Sequence, residues 1–248
     1  MPNWAMNKLA VYGAPDALRT FLADNLVDGQ KETFNFETKT FEYAPAKLFS
    51  FEGVAPMPSA LEGTISPART ASQLLRNARA ENANFPEMPA SSEVCEEGVA
   101  QAKAILEAYK AQGGITKWVL ETADEVEGNW LAKQATGYAN WYDWACDNWG
   151  TKWDAKDSEV DDRSDKGEII VDFETPWGAP EAWFQKLVAK YPHLTFSLTT
   201  GEADMDWHQK RWGEKGEMEL VEETDFRSQA DFWGWDFDDE EEEEAVEA

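Results

Sequence analysis

Three features of this 248-residue sequence predict an α+β fold with an antiparallel sheet. A strand pattern followed by a helix pattern opens the chain. A strand, a helix, another strand and a hairpin occupy its last third. Between them lies a long stretch rich in proline and helix-forming residues. Hairpins mixed with helices mark an α+β order, in contrast to the strict βαβα alternation of a parallel sheet. The length allows one large domain or two small ones, and 42% hydrophobic residues suffice for a sizeable core.

Each element has its own signal. Asn7 to Tyr12 alternates polar and apolar residues into Gly13, which predicts a first strand ended by a turn. Pro15 to Asp24 places Leu18, Phe21 and Leu22 on one helical face, and Pro15 suits a helix start. From Gly29 to Pro89 the prolines at 45, 56, 58, 67, 86 and 89 break both periods, predicting a loop-rich section with a short helix near Ala71 to Ala80. Glu93 to Gln112 reads as a helix ended by Gly113-Gly114, and about Thr122 to Cys146 as another, interrupted or kinked near Gly128 and Gly137. Then come a strand over Glu168–Glu174, a helix over Pro180–Lys190 with Trp183, Leu187 and Val188 facing the core, and a strand over Thr195–Thr200. Two short strands, about Asp204–Trp212 and Glu217–Val221, form a hairpin across Gly213–Gly216. This order fits a ferredoxin-like split βαβ antiparallel sheet made by residues 1–28 and 150–226. Residues 29–149 are then a large insertion, mostly helical and loop-rich, and 227–248 an aromatic and acidic C-terminal tail. The first strand is expected to pair in one sheet with Glu168–Phe173 or its neighbours.

Trp141, Trp144, Trp149 and Trp153 crowd one short segment. Together with Met1-Pro2-Asn3-Trp4, Pro56-Met57-Pro58 and the run from Thr175-Pro176-Trp177-Gly178 to Trp183, it resembles the YubB-type ferredoxin-like domain family. The resemblance implies the same fold and a place among phage and conjugative-plasmid proteins, and no particular activity. It covers both ends of the domain and the Pro-Met-Pro motif, and leaves out the acidic tail and much of Thr64 to Thr136. The near-helical spacing of the tryptophans favours a core-facing stripe. The sharper alternative is a stacking pocket for a nucleotide-like ligand, with Trp149 and Trp153 holding a ring, Lys152 a phosphate, and His208 pointing into the cleft.

Charge narrows the function. With 22 basic against 49 acidic side chains, the formal charge is −27 and the pI about 4.3, which favours positively charged partners and opposes direct binding of nucleic acid or anionic membranes. No apolar run approaches the roughly 18 residues of a membrane span, and Asn3, Asn7 and Lys8 interrupt any signal peptide. Cys95 and Cys146 are too few for a disulfide framework and fit a reducing cytoplasm. His193 sits in a turn; neither it nor His208 has a partner at metal-ligand spacing, and no CxxC, phosphate-binding or nucleophile-elbow motif occurs. No metal or cofactor is expected, and no catalytic residue stands out.

The acidity either keeps the protein soluble or imitates the phosphates of a duplex. The run Asp238 to Glu244 cannot bury itself and is expected to be disordered. Before it, Ala230 to Phe237 alternates aromatic and acidic residues. That segment is either a last strand tucking Phe232, Trp233 or Trp235 onto the sheet, or a linear motif gripping a basic groove. In the second case Asp231, Trp233, Trp235, Asp236, Asp238, Asp239 and Glu240 would make the contacts. The reading is a cytoplasmic, non-enzymatic protein that binds and inhibits a basic, nucleic-acid-handling host protein. The alternative is an enzyme or sequestering protein for a nucleotide-like small molecule, using the Trp-rich region.

Overall fold

The structure is a computed structural model that describes residues 3–235. In chain order the elements are β1 (Trp4–Tyr12), α1 (Pro15–Asn25), β2 (Leu26–Asn35), β3 (Thr40–Phe49), α2 (Ala71–Glu81), α3 (Glu96–Ala111), α4 (Lys117–Thr136), α5 (Trp141–Trp149), β4 (Lys156–Arg163), β5 (Glu168–Pro176), α6 (Glu181–Lys190), β6 (Thr195–Glu202), β7 (Trp207–Glu214), β8 (Glu217–Thr224) and α7 (Ala230–Trp233). They fall into two compact units, Met1–Pro56 with Asn148–Ala248, and Met57–Asp147.

The first unit is built on a six-stranded sheet in the order β4-β5-β1-β6-β7-β8, with every neighbouring pair antiparallel. Taken alone, β1-α1-β4-β5-α6-β6 is the ferredoxin-like split βαβ sheet, and the β7–β8 hairpin widens it beyond β6. β1 does pair with Glu168–Pro176, from Trp4 opposite Pro176 to Tyr12 opposite Glu168.

Strict alternation along β1 decides the two faces. Ala5, Asn7, Leu9 and Val11 are buried while the residues between them are half-exposed. Opposite partners in an antiparallel ladder share a face. Leu9 therefore lies with Val171 and Leu198, and Val11 with Ile169 and Phe196. Against this apolar side pack Leu18, Phe21 and Leu22 of α1 and Trp183, Phe184, Leu187 and Val188 of α6. The centre is aromatic: Trp183, fully buried, lies 4.5 Å from the Phe51 ring, with Phe49 and Phe173 edge-on around it. One polar group is built in. Asn7 donates to Thr175 Oγ1 at 2.7 Å and accepts from the Thr200 hydroxyl at 2.8 Å, so its burial leaves neither end of the amide unmatched.

In the second unit α2, α3 and α4 pack together around Leu74, Ala78, Phe85, Val99, Ala102, Ile105, Tyr109, Val119 and Val126. Cys95 caps α3, its sulfur accepting from the Gly98 amide.

Several expectations change. Residues 29–49, read as part of the loop-rich insertion, form with Leu26 to Asp28 a β2–β3 ribbon that belongs with the first unit. Its turn is set by Asn35, whose side-chain oxygen accepts from the amides of Glu37 and Thr38. Pro45 and Gly29 sit inside the strands, which is why the breakers misled. α4 begins at Lys117 and runs through Gly128 without a break; Gly137 ends it, at φ 86°. Lys156–Arg163 is an additional strand, at the sheet's edge. The segment before the tail is a short helix, α7, and not a last strand, because Gly234 at φ 70° closes a turn after one helical cycle. Asp238 to Glu244 lies outside the described residues.

Candidate functional site

Outward residues of the same alternation build the opposite face of the sheet. Met6 and Lys8 of β1 stand beside Glu174 and Asp172 of β5, and Glu159 of β4 stands beside Asp172. Between Lys156 and Glu159 the register shifts, with Asp157 at φ 48°. A bulge re-aims side chains, and here it adds the Asp157 carboxylate to that row. Phe232 and Trp233 of α7 supply a wall. Together these residues line an open cavity of about 280 Å³, bounded by Asp157, Glu159, Asp172, Glu174, Met6, Lys8, Phe232 and Trp233, with Asn7 and Phe173 also at its lining.

Trp233 is held by the sheet beneath it. Its Nε1 donates to His208 Nδ1 at 3.2 Å, and its ring stacks on fully buried Phe226 at 5.9 Å with planes 9° apart. Gly201, paired with both Met6 and His208, is what lets it down: a Cβ there would lie 2.9 Å from Trp233 Nε1 and from Phe226. Burial lowers the pKa of His208, so the imidazole is neutral near pH 7 with Nδ1 as acceptor.

The cavity is acidic and unevenly neutralised. Lys8 Nζ lies 2.7 Å from Asp172, Lys31 pairs with Glu159 and holds that carboxyl below the usual range, and Lys156 is 3.7 Å from Asp157. No ion pair or hydrogen bond engages Glu174 among the described residues. Burial, then the neighbouring Asp157 charge, push its pKa up, against a smaller opposing pull from Lys156. A cation entering here meets a carboxylate short of a partner, beside aromatic rings that also attract positive charge. The donors do not form a metal cage: among the described residues no three His, Cys, Asp or Glu side chains are grouped to hold an ion.

The residues singled out from the sequence are scattered. Trp149 is core, 3% exposed, with its indole N–H donated to the Ala55 carbonyl at 2.9 Å and its ring against Phe51. Trp153 is 40% exposed, stacked on Trp4 at 5.8 Å, with the Lys152 ammonium 3.9 Å from its ring centre. His208 is covered by Trp233. The four do not assemble into the expected stacking pocket, because one indole is spent on the core and the imidazole on Trp233. None of them lines the cavity. Of the C-terminal set, Asp231 and Trp235 are exposed, whereas Trp233 is committed to its own sheet and not free to anchor elsewhere. Asp236, Asp238, Asp239 and Glu240 lie outside the described residues. The sequence reading missed Met6, Lys8, Asp157, Glu159, Asp172 and Glu174. The signal was there in part, since Lys8, Asp172 and Glu174 are the polar residues that alternate with Leu9 and Val171 along β1 and β5.

Known proteins give the following comparisons. Residues 148–248 match the model of a family described as the ferredoxin-like domain in Api92-like protein. The crystal structure of a protein api92 from Yersinia pseudotuberculosis is 14% identical, with 91% of this chain and 98% of that one covered and a TM-score of 0.42. No curated protein matches the chain. No helix among the described residues is long and apolar enough to cross a membrane. The matched segment is the one that supplies β4 to β8, and what it is similar to is the ferredoxin-like domain of Api92-like protein.

Proposed function

We propose that this is a non-enzymatic cytoplasmic protein of phage or plasmid type that binds a basic, nucleic-acid-handling host protein and inhibits it by standing in for DNA phosphates. The observation that carries the reading is the open-face cavity. Four carboxylates on adjacent strands, with Phe232 and Trp233 beside them, suit a guanidinium or ammonium on an apolar stem. Outward residues recur about every 6.8 Å along a strand, and neighbouring strands lie about 4.8 Å apart, so the acids form a fixed lattice needing no ordering on binding. The net charge of −27 brings basic surfaces toward it. The same lining opposes a phosphate-bearing ligand, which disfavours a nucleotide site here.

The test captures the partner from host lysate on the intact protein, with the Asp157→Lys/Glu174→Lys variant as control. The captured protein should bind duplex DNA and release it when this protein is added, and the variant should capture little. A partner that holds DNA and this protein at once, with no loss of either, overturns the mimicry.

A further inference from the structure

The β2–β3 ribbon carries aromatic surface unconnected with the cavity. In its ladder Phe34 stands opposite Phe41, and Glu32 opposite Tyr43, all on one face, with Phe36 at the turn. Phe34 lies 5.0 Å from Phe41 and 5.1 Å from Phe36 between ring centres. Yet these rings are open to water: Phe36 is 84% exposed, Tyr43 60%, Phe41 58% and Phe34 37%. Their exposed area is on the order of 500 Å² at about 200 Å² per ring, which is the size of patch that marks an interaction site on a soluble protein.

Charge distinguishes the ribbon from its surroundings. Asp28, Glu32, Glu37 and Glu42 are set against Lys31, Lys39 and Lys47, a net charge of −1 in a chain of −27. The ribbon is tied to the sheet at its base, where Lys31 pairs with Glu159 and Leu26 and Leu48 lie near Ser158 and Val160. From Lys31 to Phe36 it extends about 17 Å at roughly 3.4 Å per residue, about two Debye lengths at ~0.15 M salt.

We propose that this aromatic face docks against the same face of a second copy of the chain. Two molecules of charge −27 repel at most approaches. Contact through two near-neutral tips keeps the charged sheets apart and buries aromatic surface against aromatic surface. A self-complementary patch related by a two-fold axis is the commonest route to a dimer. The area, about 1,000 Å² for the pair, is at the lower edge of specific interfaces, so the dimer is weak and concentration-dependent. Pro45 in β3 and the lysines limit open-ended strand addition, so association stops at two.

Sedimentation of the intact protein across concentration and salt tests this independently of the partner proposed above. Added salt should strengthen self-association, since it screens repulsion without weakening an apolar contact, whereas it weakens binding to a basic partner. The Phe36→Asp/Phe41→Asp variant, altered at exposed rings, should keep the wild-type circular dichroism and melting temperature while association falls about tenfold or more. A cysteine introduced by Thr38→Cys should cross-link between copies above the background of the two native thiols. A monomer at every concentration and salt overturns the proposal. So does association that weakens with salt, or one that the double variant leaves unchanged, since either places the contact elsewhere or with a partner of another kind.

Discussion

Trp149 and Trp153 are four residues apart and have opposite environments. Trp149 fills the aromatic core and satisfies its N–H on Ala55, so Trp149→Ala should cost about 3–5 kcal/mol in urea-unfolding stability, through both the cavity and the orphaned carbonyl. Trp153 keeps 40% of its surface in water and loses mainly a stacked pair, so Trp153→Ala should cost only about 1 kcal/mol. Equal losses would refute this assignment. His208 adds a pH dependence whose sign follows from its lowered pKa. The unfolded chain binds the proton more readily, so the contribution of neutral His208 is complete above about pH 6.5 and is lost as pH falls toward the folded value. Glu222 favours the proton and Lys210 opposes it, the burial effect being larger than either. Protonated Nδ1 cannot accept from Trp233, so the amides of residues 226–235, once their exchange is normalised to the intrinsic rate at each pH, should be less protected at pH 5.5 than at pH 7.5. His208→Gln, which can accept without titrating, should flatten that difference; an undiminished difference places the titration elsewhere.

At the level of elements, two glycines make opposite predictions. Gly128 lies inside α4 with nothing within 4 Å of where a Cβ would sit, so Gly128→Ala should stabilise the protein by about 0.5–1 kcal/mol. Gly201 lies under Trp233 and Phe226, and Gly201→Ala should lower the melting temperature and loosen the C-terminal turn. The same contrast explains what the sequence disclosed. β1 and β5 were legible because each buries one face, and burial of one face writes alternation into the residues. β4, Lys-Asp-Ser-Glu-Val-Asp-Asp-Arg, is an edge strand held by its ladder to β5, so nothing apolar betrays it. The β2–β3 ribbon is exposed on both sides and keeps a proline, and a strand that faces water twice has no period to read. His208 stood out as one of two histidines, although the sequence did not tell that Trp233 covers it. Asp157 and Glu174 did not stand out among 49 acids, because only the bulge and the register bring them together.

At the level of the molecule, charge sets how binding responds to solution conditions. If carboxylates hold the partner, added salt screens each ion pair and makes the release of counterions less favourable, so affinity should fall steeply between low and physiological ionic strength. Two acidic regions compete for that role: the open-face lattice of Asp157, Glu159, Asp172 and Glu174, and the run from Asp238 to Glu244. Carboxylates on paired strands are already placed and need little further ordering when they bind. Reversing charges by Asp157→Lys/Glu174→Lys should therefore weaken binding more than deleting Asp238 to Ala248, and should flatten the salt dependence more. The comparison is made by titrating the captured partner at several salt concentrations. A deletion that costs more than the reversal would move the partner's contacts from the sheet to the terminal segment.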